Sequence, residues 1–88
     1  MSQVYQAASF SLGSEVVTIV MVAASAVATQ EMAARSFAGL RPHFRNSTVV
    51  LATQQLGLAP QFTGPRHVLE ALRGKTLGDF RWQPIVIS

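Results

Sequence analysis

Val16-Val17-Thr18-Ile19-Val20-Met21-Val22-Ala23-Ala24-Ser25-Ala26-Val27-Ala28-Thr29 is the longest strongly apolar run of the chain. Read at helical spacing it has no polar face, and a helix apolar all round belongs inside a large protein or in a membrane. A chain of 88 residues is too short to bury such a helix by itself. As a helix the run is about 21 Å long, short of a hydrocarbon core of roughly 30 Å. Extension from Ser14 to Ala34 restores about 30 Å and puts Glu15 and Glu31 near opposite ends, within reach of the headgroups. The expected element is a single transmembrane helix over residues 14–34, with Ser14 as its N-cap. Two other readings compete: a buried helix of a soluble protein, and a strand over Val16 to Val22 drawn from the β-branched residues there.

Composition favours an apolar surrounding. Hydrophobic residues make up 49% of the chain and charged ones 12%, about half the ~25% usual in soluble domains. Such a dry composition opposes intrinsic disorder. A chain this small buries only roughly 60–65% of its unfolded surface, and without cysteine it has neither disulfides nor thiolate zinc sites to add stability. A partner or a membrane is left to supply it.

The net charge of +3 divides unevenly. Residues 1–34 hold Glu15 and Glu31 and no basic residue; residues 35–88 hold all seven basic residues against Glu70 and Asp79. Arg35, Arg41 and Arg45, with His43, follow directly on the expected span, as in the positive-inside pattern. That pattern places the C-terminal part on the cytoplasmic or matrix side and makes Glu15, Glu31, Arg35, Arg41 and Arg45 the membrane-boundary anchors. Nucleic acid is not an expected partner, because the basic residues are scattered and only one of them is lysine.

Within the run, bulky residues precede small ones. Ala24 with Ala28, and Ser25 with Thr29, stand four apart, the spacing at which small side chains let helices approach closely in lipid; these four are the expected helix-packing interface. Ala24-Ser25-Ala26 and Ala26-Val27-Ala28 look like signal-peptidase sites, but the region before them lacks positive charge and carries Glu15, so no cleaved signal is expected. A mitochondrial presequence is likewise not expected, since residues 1–34 contain no arginine.

The first thirteen residues read as an interfacial lead-in with Tyr5 and Phe10 at the headgroup boundary. Phe37 to Asn46 reads as a turn region broken by Gly39 and Pro42. A short helix is expected at about 47–56, with Asn46 or Ser47 capping, Leu51 and Leu56 among its contacts and Gly57 ending it; a strand over Thr48 to Thr53 is the competing reading. Pro65 and Gly74 bracket a second short helix over 65–73, whose face of Val68, Leu69 and Leu72 requires a surface to dock on. The tail, with Leu77, Phe80, Trp82 and Ile85-Val86-Ile87, reads as extended because Pro84 opposes helix, and its apolar end needs cover. Val68, Leu69, Leu72, Phe80 and Trp82 are therefore the expected partner-docking residues. The fold class expected is all-α: one transmembrane helix, short helices and an extended tail, with little independent core.

Chemistry is sparse. Gly74-Lys75-Thr76 resembles the end of a phosphate-binding loop, but Leu69 stands where that pattern needs glycine. Asn46-Ser47-Thr48 matches a glycosylation sequon that the expected topology hides. His43 and His67 lack a carboxylate at ligand spacing, the four acids form no evident pair, and no serine has an activating neighbour. No catalytic residue, metal, cofactor or small-molecule substrate is expected. The functional expectation is a non-catalytic, single-pass accessory subunit of a large membrane complex, first among them a mitochondrial inner-membrane respiratory-chain or ATP synthase assembly, with the bilayer and other subunits as partners. The alternative is a soluble α-helical protein that shields its apolar helix by homo-oligomerising.

Overall fold

A computed structural model of the chain describes residues 3–54 and 60–87. Five strands and two short helices follow in the order β1 (Gln3–Leu12), β2 (Glu15–Met21), α1 (Gln30–Leu40), β3 (Thr48–Thr53), β4 (Gln61–Thr63), α2 (Arg66–Leu72) and β5 (Gln83–Ile87). The strands form one mixed sheet in the order β4-β3-β2-β1-β5, in which β2 and β3 are parallel and every other pair is antiparallel.

The all-α expectation is overturned, and the decisive run is where it fails. Val16 to Met21 lie in strand β2, near the middle of the sheet, with Val17, Ile19 and Val20 wholly buried. Val20 faces Phe37 and Leu40 of α1, whereas Val17 and Ile19 face Val68 and Leu72 of α2. A strand covered on both faces has no use for a polar face, so it reads as a continuous apolar run. That pattern cannot be told from an all-apolar helix by periodicity. The β-branched side chains, which crowd a helix but pack well on a pleated sheet, decide between the two.

The segment does not continue as helix either. Gly13, at φ +63°, and Ser14 make a two-residue hairpin turn that pairs Leu12 with Glu15; positive φ at the first turn residue alone is the type II′ pattern. Beyond Met21 the chain forms a 3₁₀ turn over Ala24–Val27, then starts α1, which Thr29 caps by accepting a hydrogen bond from the Met32 amide at 3.1 Å. The Ser36 hydroxyl donates to the Ala26 carbonyl at 2.9 Å and pins α1 to that turn. Among the described residues no helix is long and apolar enough to cross a membrane. The single-pass placement in the mitochondrial inner membrane, with the C-terminal part on the matrix side, rested on a span over 14–34 and falls with it.

The other expected elements fare unevenly. The helix over 47–56 is replaced by β3, the competing strand reading, and Val49 to Ala52 are all buried there. Leu56 and Gly57 lie outside the described residues. The second helix is present as Arg66–Leu72, with Pro65 one place earlier than expected, at its N-cap, and Gly74 at φ +81° just beyond its end. Gly39 does not break the chain, since α1 runs through it. Gly64 passes tightly over β3: a Cβ there would lie 3.1 Å from Cγ2 of the fully buried Val50.

The tail closes the second face. Phe80 meets Phe10, Phe62 and Trp82 with ring centroids 5.7, 6.4 and 6.2 Å apart, and the Trp82 indole donates to the Leu77 carbonyl at 2.7 Å. Thr76 and Asp79 form a capping box that turns the chain towards this cluster. The chain then runs on as β5, outermost beside β1.

Candidate functional site

Both sheet faces are largely filled by the chain's own helices and tail, which leaves its edges. One edge is β4, only three residues long and therefore a poor template for pairing. The other is β5, which pairs through Gln3↔Ile87, Val4↔Val86, Tyr5↔Ile85, Gln6↔Pro84 and Ala7↔Gln83 with β1 and, among the described residues, has no strand on its far side. Tyr5, Ile85 and Ile87 turn towards the α1 face and pack on that core. Val4 and Val86, directly opposed, turn to the other face, beyond the reach of α2, and remain 65% and 66% exposed.

Neither β1 nor β5 carries a charged residue. Proteins commonly guard an open edge with lysine or other charge; within β5 itself Pro84 is the one guarding residue. Proline has no N–H to give to a neighbouring strand, so it takes an outward position on an edge strand, and the alternation of an antiparallel ladder gives Val86 the same outward orientation. The outer side of β5 thus offers the Val86 N–H with the Val86 and Pro84 carbonyls. The sequence marks this segment only as extended and in need of cover.

The expected partner-docking residues pack on the chain's own sheet. Val68 and Leu72 are buried against Val17, Ile19 and Val50, and Leu69, Phe80 and Trp82 pack around them. The expected helix-packing set is dispersed: Ala24 and Ser25 lie in the 3₁₀ turn, Ala28 follows it, Thr29 caps α1, and all four are exposed.

The expected anchors have local roles. Glu31 and Arg35 form an exposed ion pair at 3.0 Å one turn apart on α1, and the Arg41 guanidinium lies 5.0 Å from the centre of the Phe37 ring. Arg45 is exposed in the turn before β3. Glu15 does more. Its carboxylate accepts a hydrogen bond from the Thr48 hydroxyl and lies 2.9 Å from His67 Nε2, tying the starts of β2 and β3 to the first turn of α2. These residues are up to 52 positions apart, and no periodic pattern announces the contact. The Thr48 hydroxyl first, and the His67 ring second, hold the Glu15 carboxyl below its ordinary value. A carboxyl depressed in the folded state stabilises it above the unfolded value, and that contribution is lost as pH falls through the folded one. The stability difference between the natural chain and Glu15→Gln should therefore be level near neutrality and shrink as urea titrations move below about pH 4.3. A difference independent of pH down to strongly acid conditions would contradict this linkage.

Comparison with known proteins finds no matching family model, no matching curated protein and no matching solved structure.

Proposed function

We propose that this chain is a non-catalytic interaction protein that assembles with copies of itself along the open edge of β5. The observation that carries this reading is the opposed pair of Val4 on β1 and Val86 on the uncharged edge strand β5, each about two-thirds exposed. The charge pattern favours a second copy as occupant. The chain is basic, and all its basic side chains lie off β1 and β5. Two copies can therefore pair these strands without a like charge inside the new ladder. An isologous pairing offers each copy the same outward backbone groups and packs Val86 against its neighbours across the new ladder. This reading takes homo-oligomerisation from the alternative expectation, on a mixed sheet in place of an all-helical fold.

Val86→Lys introduces charge at an exposed position, so it should leave the fold intact and repel the second copy. Light scattering after size exclusion is expected to give a dimer for the natural chain and a monomer for Val86→Lys, with unchanged circular dichroism. A natural chain that stays monomeric as its concentration is raised, or a variant that dimerises equally well, would overturn the proposal.

A further inference from the structure

A cleft of about 420 Å³ opens between the sheet and the segment carrying the 3₁₀ turn and α1, within the size range of small-molecule sites. It lies beyond the carboxyl end of β2, where the chain leaves the sheet for α1 and then β3 while β1 flanks β2 on the other side. Open sheets with parallel strands bind ligands in such crevices, outside the strands' carboxyl ends. Small residues make the room: Ala23 and Ala26 line it, as does Gly39, where an added Cβ would meet nothing within 4 Å. Ala23 and Ala26, from the small-residue half of the apolar run, thus supply a wall of this cleft.

The lining pairs an apolar floor with a few donors. Val22, Leu40 and Ile87 provide the floor, and Arg35, Tyr5 and Gln3 stand at the cleft with them. Arg35 uses Nη2 on Glu31 in an exposed ion pair, and such a pair contributes about 0–1 kcal/mol at most, so its guanidinium can turn to a competing anion at little cost. The Tyr5 hydroxyl donates to Oε1 of Gln3, which leaves the Gln3 amide N–H groups to donate. Among the described residues no acidic side chain lines the cleft.

From this lining and its place in the sheet we infer that the cleft binds a small amphipathic carboxylate, its apolar body on Val22, Leu40 and Ile87 and its carboxylate held by Arg35 and the Gln3 amide. This goes beyond the self-assembly reading and does not depend on it, since the ligand is recognised by one copy.

The test uses the ¹⁵N-labelled 88-residue chain titrated with octanoate, with acetate and 1-octanol as controls. Octanoate is expected to shift the Tyr5, Ala26, Gly39 and Ile87 amides saturably. Acetate should shift none of them, and octanol should bind more weakly than octanoate. Arg35→Gln should weaken octanoate roughly tenfold, the loss of a charge-assisted bond, while leaving octanol unchanged. Gly39→Leu fills open space, so its spectrum should stay folded while octanoate binding disappears. The inference is overturned if octanoate produces no saturable shift, if the shifts map away from this cleft, or if Arg35→Gln or a folded Gly39→Leu binds octanoate as the natural chain does.

Discussion

Val20→Arg is expected to leave the chain unfolded at room temperature, whereas Val16→Arg, four residues earlier in the same apolar run, should fold normally. Val20 has no exposed surface, sits between Ala7 and Leu51 in the sheet register and packs under α1. A guanidinium there has no room and no buried partner, and burial of an uncompensated charge costs several kcal/mol. A domain of this size holds only on the order of 5–15 kcal/mol in all. Val16 is 44% exposed at the hairpin end of β2, so its replacement costs under about 1 kcal/mol. Far-ultraviolet circular dichroism and proton chemical-shift dispersion check both. In a membrane helix over 14–34 both arginines would fall within one apolar segment, so the contrast between the two variants distinguishes the folds.

Leu51→Ala should destabilise the protein by about 2–5 kcal/mol, the range for removing a fully buried leucine when the surroundings only partly collapse. Leu51 is wholly buried in β3, beside Val20 in the parallel pair and opposite Thr63 in the antiparallel one, so neighbours on both sides hold the cavity open. The melting temperature is expected to fall by on the order of 10 °C or more, with a matching drop in the urea midpoint. In a peripheral helix over 47–56 the same change would cost far less. A shift of only a degree or two would place Leu51 outside the core.

These two residues also show where the sequence is legible and where it is not. α2 can be read because its boundaries are chemical: Pro65 opens it, Gly74 ends it, and Val68, Leu69 and Leu72 share one face. The break at Gly13 and Ser14 is equally visible, but the same residues serve a hairpin turn or the approach to a helix cap. Val16 to Met21 cannot be assigned by periodicity, because burial on both faces of a sheet erases the alternation that marks a strand. Only the density of β-branched residues speaks for strand, and the helical alanines and Thr29 that follow pull the reading the other way. The tail's apolar residues announce that they need cover; that Phe80 and Trp82 find it on their own sheet, while Val86 does not, depends on β5 joining β1 from the far end of the chain. The Glu15, Thr48 and His67 contact follows from the parallel pairing of β2 with β3 and the placing of α2 beside them, and leaves no local trace.

Backbone carbon chemical shifts across residues 14–34 test most directly whether the apolar run is an inner strand. Strand-type shifts from Glu15 to Met21, a break at Ala23, and helix-type shifts only from Gln30 onward are expected, with the Ile19 and Val20 amides among the slowest to exchange with solvent. Uninterrupted helical shifts from Ser14 to Ala34 would contradict the sheet and, with it, the open β5 edge on which the proposed self-assembly rests.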